Sequence, residues 1–364
     1  MAPEPLLPGA RIGIVGSGQL GRMTVLAAAR LGYPCHVLAA ARDDPAAQVT
    51  AWTTVAALDD DDALDAFAAS VDVVTFEFEN LPLASMERLA ARVPVRPAPA
   101  VLAVCQDRLD EKACLERIGA PVAPWARVRD TREAAAALAR LGAPAILKTA
   151  RHGYDGKGQA RLDPGADAVA AFAALGGVPC VLERFVDFRC ELSVVTARDL
   201  HGRQTPFPPV LNRHEHHILA ETLAPAPIAP ALAERATDVA REIADALDLV
   251  GVLAVEMFLT RDDRILVNEL APRPHNSGHW TIEACAVSQF DQLVRAVCGL
   301  KLADPTPCRP ARMVNLIGTE IARAPELLAD PTAHVHVYGK SEARRGRKMG
   351  HVTWLLPEPP RDLD

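Results

Sequence analysis

Two apolar runs constrain the fold of this 364-residue chain more than any other feature of it. Gly251-Val-Leu-Ala-Val-Glu-Met-Phe-Leu259 and Arg264-Ile-Leu-Val-Asn-Glu-Leu270 are rich in aliphatic and β-branched residues and flank Asp262-Asp263, which predicts a β-hairpin. Each run carries acid. A hairpin symmetric about the Asp262–Asp263 bond sets Glu256 opposite Glu269. Directly opposed carboxylates have Cβ atoms about 5 Å apart and repel unless a cation, a shared proton or a neighbouring lysine relieves them. The economical cation is Mg²⁺, a hard ion that takes carboxylate oxygens and bridges them to nucleotide phosphates.

A second constraint lies at Ala145-Ile-Leu-Lys-Thr-Ala-Arg-His-Gly-Tyr-Asp-Gly-Lys-Gly-Gln159. The spacing predicts a short strand with Lys148 near its end, followed by a loop with glycines at 153, 156 and 158. Glycines let successive N–H groups turn toward phosphate oxygens, and Lys148 and Lys157 supply charge. The loop is not a Walker A motif, because Lys157 precedes Gly158 instead of Ser or Thr. A flexible surface hairpin is the plain alternative.

Earlier in the chain, Arg11–Val15 predicts a strand that ends in Gly16-Ser17-Gly18-Gln19-Leu20-Gly21, followed by a helix through Arg30. This Gly-x-Gly-x-x-Gly turn suits a dinucleotide, with Asp43 or Asp44 as the ribose acid, or a ribose monophosphate docked on the helix N-terminus. Strands over 34–39 and 72–76 extend an open α/β sheet, and Glu77 and Glu79 follow the second where a ligand hydroxyl would be met. Proline-rich 92–99 marks a boundary. A helix over 100–118 then places Arg108 and Lys112 on one face. In the strand over 178–186, Glu183 is an acid in an apolar run and requires a partner, either a nucleotide group or an arginine such as Arg184 or Arg189. His214, His216 and His217 cluster without further ligands at zinc-like spacing. Residues 230–249 read as a packing helix, Arg273, His275 and Asn276 sit in a Pro- and Gly-fixed loop, and 340–348 holds five basic residues.

Composition narrows the class. The net charge of −7 argues against a general nucleic-acid coat, and no apolar run reaches the ~18 residues of a membrane span. The eight cysteines form no Cys-x-x-Cys pair, and the start lacks a basic, apolar leader, so the cytoplasm is the expected compartment.

The glycine loop after Lys148, the Glu256/Glu269 pair, the 268–279 run, Gln19-Leu-Gly-Arg-Met23, Thr75-Phe-Glu-Phe-Glu-Asn80 and Tyr338-Gly-Lys340 with Arg347 together resemble the ATP-grasp ligases. Within them they resemble the branch that carboxylates 5-aminoimidazole ribonucleotide in purine biosynthesis. Ser17 departs from the branch's usual third glycine. The resemblance implies an α/β fold with an N-terminal Rossmann-like open parallel sheet domain over 1–105. An ATP-grasp domain over 106–300, with a lid at about 145–210, and a small β-rich C-terminal domain over 301–364 would follow. It also implies an ATP- and Mg²⁺-dependent reaction of bicarbonate with the ribonucleotide through carboxyphosphate, releasing ADP and phosphate, in a homodimer that binds neither nucleic acid nor membrane.

By the same resemblance, Arg108 and Lys148 contact ATP phosphates, and Gly153, Tyr154, Asp155, Gly156, Lys157, Gly158 and Gln159 cover them. Glu183, Arg184, Phe185, Val186 and Glu191 hold adenine and ribose, His214, Asn268 and Glu269 complete that pocket, and Glu256 with Glu269 holds the metal. Gly18, Gln19, Leu20, Glu77, Asn276, Lys340 and Arg347 are implied to bind the ribonucleotide. Arg273, His275 and Lys340 are the implied catalytic groups.

Overall fold

Short apolar strands alternate with helices at the start of the chain, and the βαβ units they make give a parallel sheet. The computed structural model describes residues 4–153 and 156–359; Tyr154 and Asp155, expected in the phosphate loop, lie outside the described residues. Strands β1 (Ile12–Val15), β2 (Cys35–Ala39), β3 (Trp52–Val55) and β4 (Val73–Phe76) form a four-stranded parallel sheet in the order β3-β2-β1-β4. Helices α1 (Gln19–Arg30), α2 (Asp61–Ala68) and α3 (Leu83–Ala90) cover it. β1 and β4 are buried along their whole length, as strands covered on both faces require.

The single helix expected over 100–118 is two. α4 (Pro99–Gln106) stops at Asp107, whose extended backbone and side chain cap α5 (Arg108–Arg117) by accepting from the Leu109 N–H at 2.9 Å. An Asp that competes for backbone donors ends one helix and starts the next. The break turns Arg108 and Lys112 into the interior, and Lys112 is only 2 % exposed.

A second four-stranded sheet follows, built from β5 (Trp125–Val128), β6 (Ala145–Thr149), β7 (Gln159–Leu162) and β8 (Cys180–Arg184), with α6 (Thr131–Leu141) and α7 (Ala168–Ala174) packed on it. Its order is β5-β8-β6-β7, so the small unit spans 125–184 instead of the expected 145–210. The next strand, β9 (Phe188–Arg198), belongs to a different sheet.

That sheet has nine strands. It runs β14-β13-β9-β11-β12-β15-β17-β16, with β10 (Gln204–Pro206) on β9. The members are β11 (Val210–Glu215), β12 (Ile218–Ala224), β13 (Gly251–Thr260), β14 (Ile265–Ala271), β15 (Ala311–Ile317), β16 (Ala333–Val337) and β17 (Lys348–Leu355). Helices α8 (Pro230–Ala246), α9 (Thr281–Ala284), α10 (Gln289–Val297) and α11 (Ala324–Ala329) complete the order. The C-terminal strands do not make a sheet of their own, because β15 pairs directly with β12 through Glu221↔Val314 to Ala224↔Ala311.

The β13–β14 hairpin is present, but its symmetry differs from the expectation. Near the tip, Phe258 pairs with Leu266 and Met257 with Val267, which centres the turn on Asp262 alone. A bulge then leaves Asn268 unpaired, and beyond it Glu256 pairs with Glu269. Without that extra residue Glu269 would face Val255 and point to the other side of the sheet.

The Gly16–Gly21 turn illustrates how a glycine fixes a close approach. Gly16 has φ +102°, and a Cβ there would lie 2.6 Å from Glu77 Cγ and 2.8 Å from Phe78 Cε1. Gly16→Ala should therefore cost about 1–3 kcal/mol of stability in urea unfolding, through backbone strain and this clash together; an unchanged midpoint would refute the packing account.

Candidate functional site

The three units meet around one cleft of about 1200 Å³, which collects residues from α1, the end of β4, α5, β6, the glycine loop, the β11–β12 turn and the β13–β14 hairpin. Of the residues expected in a site, its wall includes Gln19, Leu20, Glu77, Arg108, Lys148, Gly153, Gly156, Lys157, Gln159, Phe185, Glu191 and His214. Glu256, Asn268, Glu269, Arg273, His275 and Asn276 line the side formed by the hairpin and the loop after it. Gly18, Gly158, Glu183, Arg184, Val186, Lys340 and Arg347 are not part of the wall.

Behind one side of the cleft lies a buried charge triad. Glu183 on β8 is 5 % exposed and receives Lys112 Nζ at 2.7 Å on one oxygen and Lys148 Nζ at 2.5 Å on the other. Burial alone would raise the Glu183 pKa, but the two lysines outweigh it and hold the carboxyl at about 2. The partners expected from sequence, Arg184 and Arg189, are not the ones used; Arg189 reaches Asp263 instead, at 3.3 Å. Strand neighbours point to opposite faces, so Arg184 could not share the Glu183 face. Arg108, at the start of α5, donates to Thr149 O at 3.3 Å and Gly153 O at 3.1 Å and lies 3.6 Å from Glu269. It anchors the first residues of the glycine loop. Gly156 has φ +78°, and a Cβ there would collide with His217 at 2.6 Å, so the loop rests on the β11–β12 turn. His214 is bonded to Glu191, and this bond raises its pKa against the opposing effect of burial.

The acid pair forms the floor. Glu256 receives His275 Nε2 at 3.0 Å, and its pKa is held at about 2: burial opposes this, while His275, His214 and Lys348 prevail. Glu269 is raised, by withdrawal from bulk solvent and then by Glu256, although 46 % of its side chain stays open to the cleft. One carboxylate is thus satisfied by protein and the other is not. Among the described residues no three His, Cys, Asp or Glu side chains gather as a metal cage. Two opposed carboxylates in an open cleft nevertheless fit Mg²⁺, which keeps waters and phosphate oxygens as its remaining ligands.

The third face differs from the expectation in an instructive way. Gly18 N–H and Gly21 N–H, expected to hold a phosphate, donate to the two oxygens of Glu77, the second at 2.8 Å. The helix N-terminus is therefore filled by a protein carboxylate, whose pKa burial raises and the two N–H bonds partly restore. Asp44, the acid of the dinucleotide alternative, is occupied by Ser17 Oγ at 2.5 Å and Ala41 N at 3.0 Å. Glu79 grips Arg273 through two oxygens, at 2.5 and 3.0 Å, which holds Glu79 at about 2 despite burial. His275 Nδ1 meets Ser277 Oγ at 2.8 Å, so both ring nitrogens are occupied within the protein. Asn276 is 7 % exposed, and neither amide atom has a hydrogen-bond partner among the described residues. Lys340 Nζ donates to Lys348 O at 2.7 Å, and Arg347 donates to Glu342 O at 3.1 Å. Burial, then the neighbouring Arg347, lowers the Lys340 pKa to about 8. Sequence reading missed the pairing of Glu79 with Arg273 and the interior position of Lys112; a helix-breaking Asp at 107 was the available signal for the latter.

Three family profiles match the chain: the ribonucleotide synthetase preATP-grasp domain over 10–106, the ATP-grasp domain over 113–290, and the phosphoribosylaminoimidazole carboxylase C-terminal domain over 311–360. The N5-carboxyaminoimidazole ribonucleotide synthase of Brucella melitensis is 48% identical over 359 residues, covering 98% of this chain and 99% of its own. The chain belongs to the N5-carboxyaminoimidazole ribonucleotide synthase family. It is thus an ATP-grasp ligase, and ATP with Mg²⁺ is the cofactor set of that fold. A crystal structure of an ADP complex of such a synthetase matches with a TM-score of 0.94 at 42% identity, covering 98% of this chain and 94% of the other. The Aspergillus clavatus enzyme in complex with ADP and 5-aminoimidazole ribonucleotide matches with a TM-score of 0.90 at 34% identity, covering 96% and 94%. Among the described residues no helix is long and apolar enough to cross a membrane.

Like-charge opposition at the floor predicts a trade between stability and activity. Glu269→Gln should gain a few tenths to about 1 kcal/mol of stability without ligands, the repulsion being screened where the side chain is open to water. The same variant should lose ATP turnover by orders of magnitude. Thermal unfolding and a phosphate-release assay on the same sample measure both; full activity would remove Glu269 from the metal site.

Proposed function

We propose that this cleft carboxylates 5-aminoimidazole ribonucleotide with bicarbonate and ATP, giving 5-(carboxyamino)imidazole ribonucleotide, ADP and phosphate by way of carboxyphosphate. The observation that carries the reading is the Glu256–Glu269 opposition, set in a cleft that also receives Arg108 and Lys148 on one side and the Arg273–Asn276 loop on the other. Glu256 and Glu269 would hold Mg²⁺, which would supply charge neutralisation for phosphoryl transfer. Arg108 and Lys148 would neutralise phosphate oxygens, and the 153–159 loop would exclude water from a labile acyl phosphate. Phe185, Glu191 and His214 would border the nucleoside, and Asn268, also in the cleft wall, would complete that pocket. Arg184 and Val186 would contribute backbone groups at the adjoining turn.

On the other face, Glu77 is oriented by Gly18 and Gly21 to accept ribose hydroxyls beside Gln19 and Leu20, and Asn276 offers two unpaired amide atoms. The phosphate then falls to Lys340 and Arg347 instead of to the α1 N-terminus. Arg273, held flat by Glu79, would steady the bicarbonate-derived group. His275 would act chiefly by orienting Glu256, since neither of its nitrogens is left over. A homodimer in the cytoplasm is the arrangement that membership of this family supports.

Phosphate release measured with each substrate omitted in turn tests the reaction: full release should require ATP, bicarbonate and the ribonucleotide together. A requirement for glutamine or an amino acid would overturn it. The Lys340 assignment adds a pH signature. Lys340 is charged below about pH 8, so kcat/KM for the ribonucleotide should fall as pH rises through that value while kcat/KM for ATP does not. Lys340→Arg, which stays charged, should flatten the fall; an identical profile would exclude Lys340 from the phosphate site.

A further inference from the structure

Two adjacent residues of α5 grip the backbone on both sides of Glu269. Lys112 Nζ donates to Asn268 O at 2.8 Å, and Glu111 Oε2 accepts the Leu270 N–H at 2.9 Å. Both side chains are 2 % exposed. β14 is the last strand of the nine-stranded sheet, so the outward carbonyl of residue 268 and the outward N–H of residue 270 have no strand to meet. Asn268 is also the bulged residue, omitted from the ladder between Glu256↔Glu269 and Met257↔Val267. Glu111 Oε1 is buried with no hydrogen-bond partner among the described residues, a cost that simple packing would not retain.

We propose that Glu111 and Lys112 form a clamp that fixes the Asn268 bulge and thereby presents Glu269 to the metal; they are positioning residues, and the inference rests on Glu269 being a metal ligand. On that edge the 121–122 segment meets β14 only at Val267, whose N–H donates to Pro121 O at 2.7 Å, and the clamp continues from there with one donor and one acceptor at the two positions where the backbone would otherwise relax. If the bulge migrated by one residue, Glu269 would turn to the opposite face and leave Glu256 without its partner. Lys112 also stands on Glu183, at 2.7 Å, so the clamp ties the metal strand to the nucleotide strand β8.

The test is Mn²⁺ binding to the full-length protein in the presence of ADP, followed by electron paramagnetic resonance and needing no turnover. Glu111→Leu should weaken Mn²⁺ binding by about tenfold or more, as removal of a group that orients a ligand does, whereas Glu111→Gln, whose amide oxygen accepts the same N–H, should stay within about twofold. Unchanged binding in a folded Glu111→Leu, or equal losses in both variants, overturns the clamp. Should Glu111→Leu not fold, Lys112→Met/Glu183→Gln removes one charge of each sign together with the bond to Asn268 O. It should weaken Mn²⁺ binding similarly, and parent-like binding again overturns the proposal. Glu269→Gln is the control for the underlying assignment. If it binds Mn²⁺ as the parent does, the metal reading itself fails, whereas its loss beside an unaffected Glu111→Leu rejects the clamp alone.

Discussion

The structure depends on placing two carboxylates opposite each other on adjacent strands. Left alone, such a pair opposes folding, because cross-strand like charges destabilise a ladder and withdrawal from water adds to the cost. The chain separates their environments. Glu256 is given His275 and the more distant His214 and Lys348, while Glu269 faces an open cleft with Arg108 at 3.6 Å. The asymmetry leaves one acid settled and the other short of positive charge, which is the state that a bound cation relieves.

Around that pair the cleft is assembled from charges that are already neutralised in groups. Glu183 is shared by Lys112 and Lys148, and Arg273 is matched by Glu79. Pre-formed pairs of this kind keep long side chains in place before a ligand arrives, so less ordering remains to be done on binding. The Gly16–Gly21 turn follows the same logic: its free N–H groups are satisfied by Glu77 and serve to aim that carboxylate.

Much of this was legible in the residues. The hairpin and its facing acids followed from apolar runs and turn residues, and the glycine loop after Lys148 from spacing alone. The midpoint of the hairpin was misplaced by half a residue, because a bulge has no compositional mark; Asn268 looks like any polar strand residue. The Glu79–Arg273 pair joins positions 194 apart, and Lys112 meets Asn268 across 156. Local periodicity carries no information at that range. Asp107 ended a helix that hydrophobic spacing alone would have continued, and the consequence was a buried Lys112 that spacing only placed on one face with Arg108. The reuse of a dinucleotide-like turn to seat a side chain is likewise invisible to a motif, since the same glycines serve both purposes.

The continuity of the nine-stranded sheet has a metric consequence. The acid pair lies on β13 and β14, and the basic segment that ends in Lys348 leads into β17, five strands from β13 in the same ladder. Neighbouring strands are spaced at about 4.8 Å, so the sheet works as a ruler graduated in strands, and both Lys348 at the start of β17 and the acid pair reach the same cleft. A relative could lengthen a loop and change what is recognised, but gaining or losing a strand would move the basic end by a whole graduation relative to the acidic end. The distance between the acid pair and the basic segment is in that sense counted in hydrogen-bonded strands.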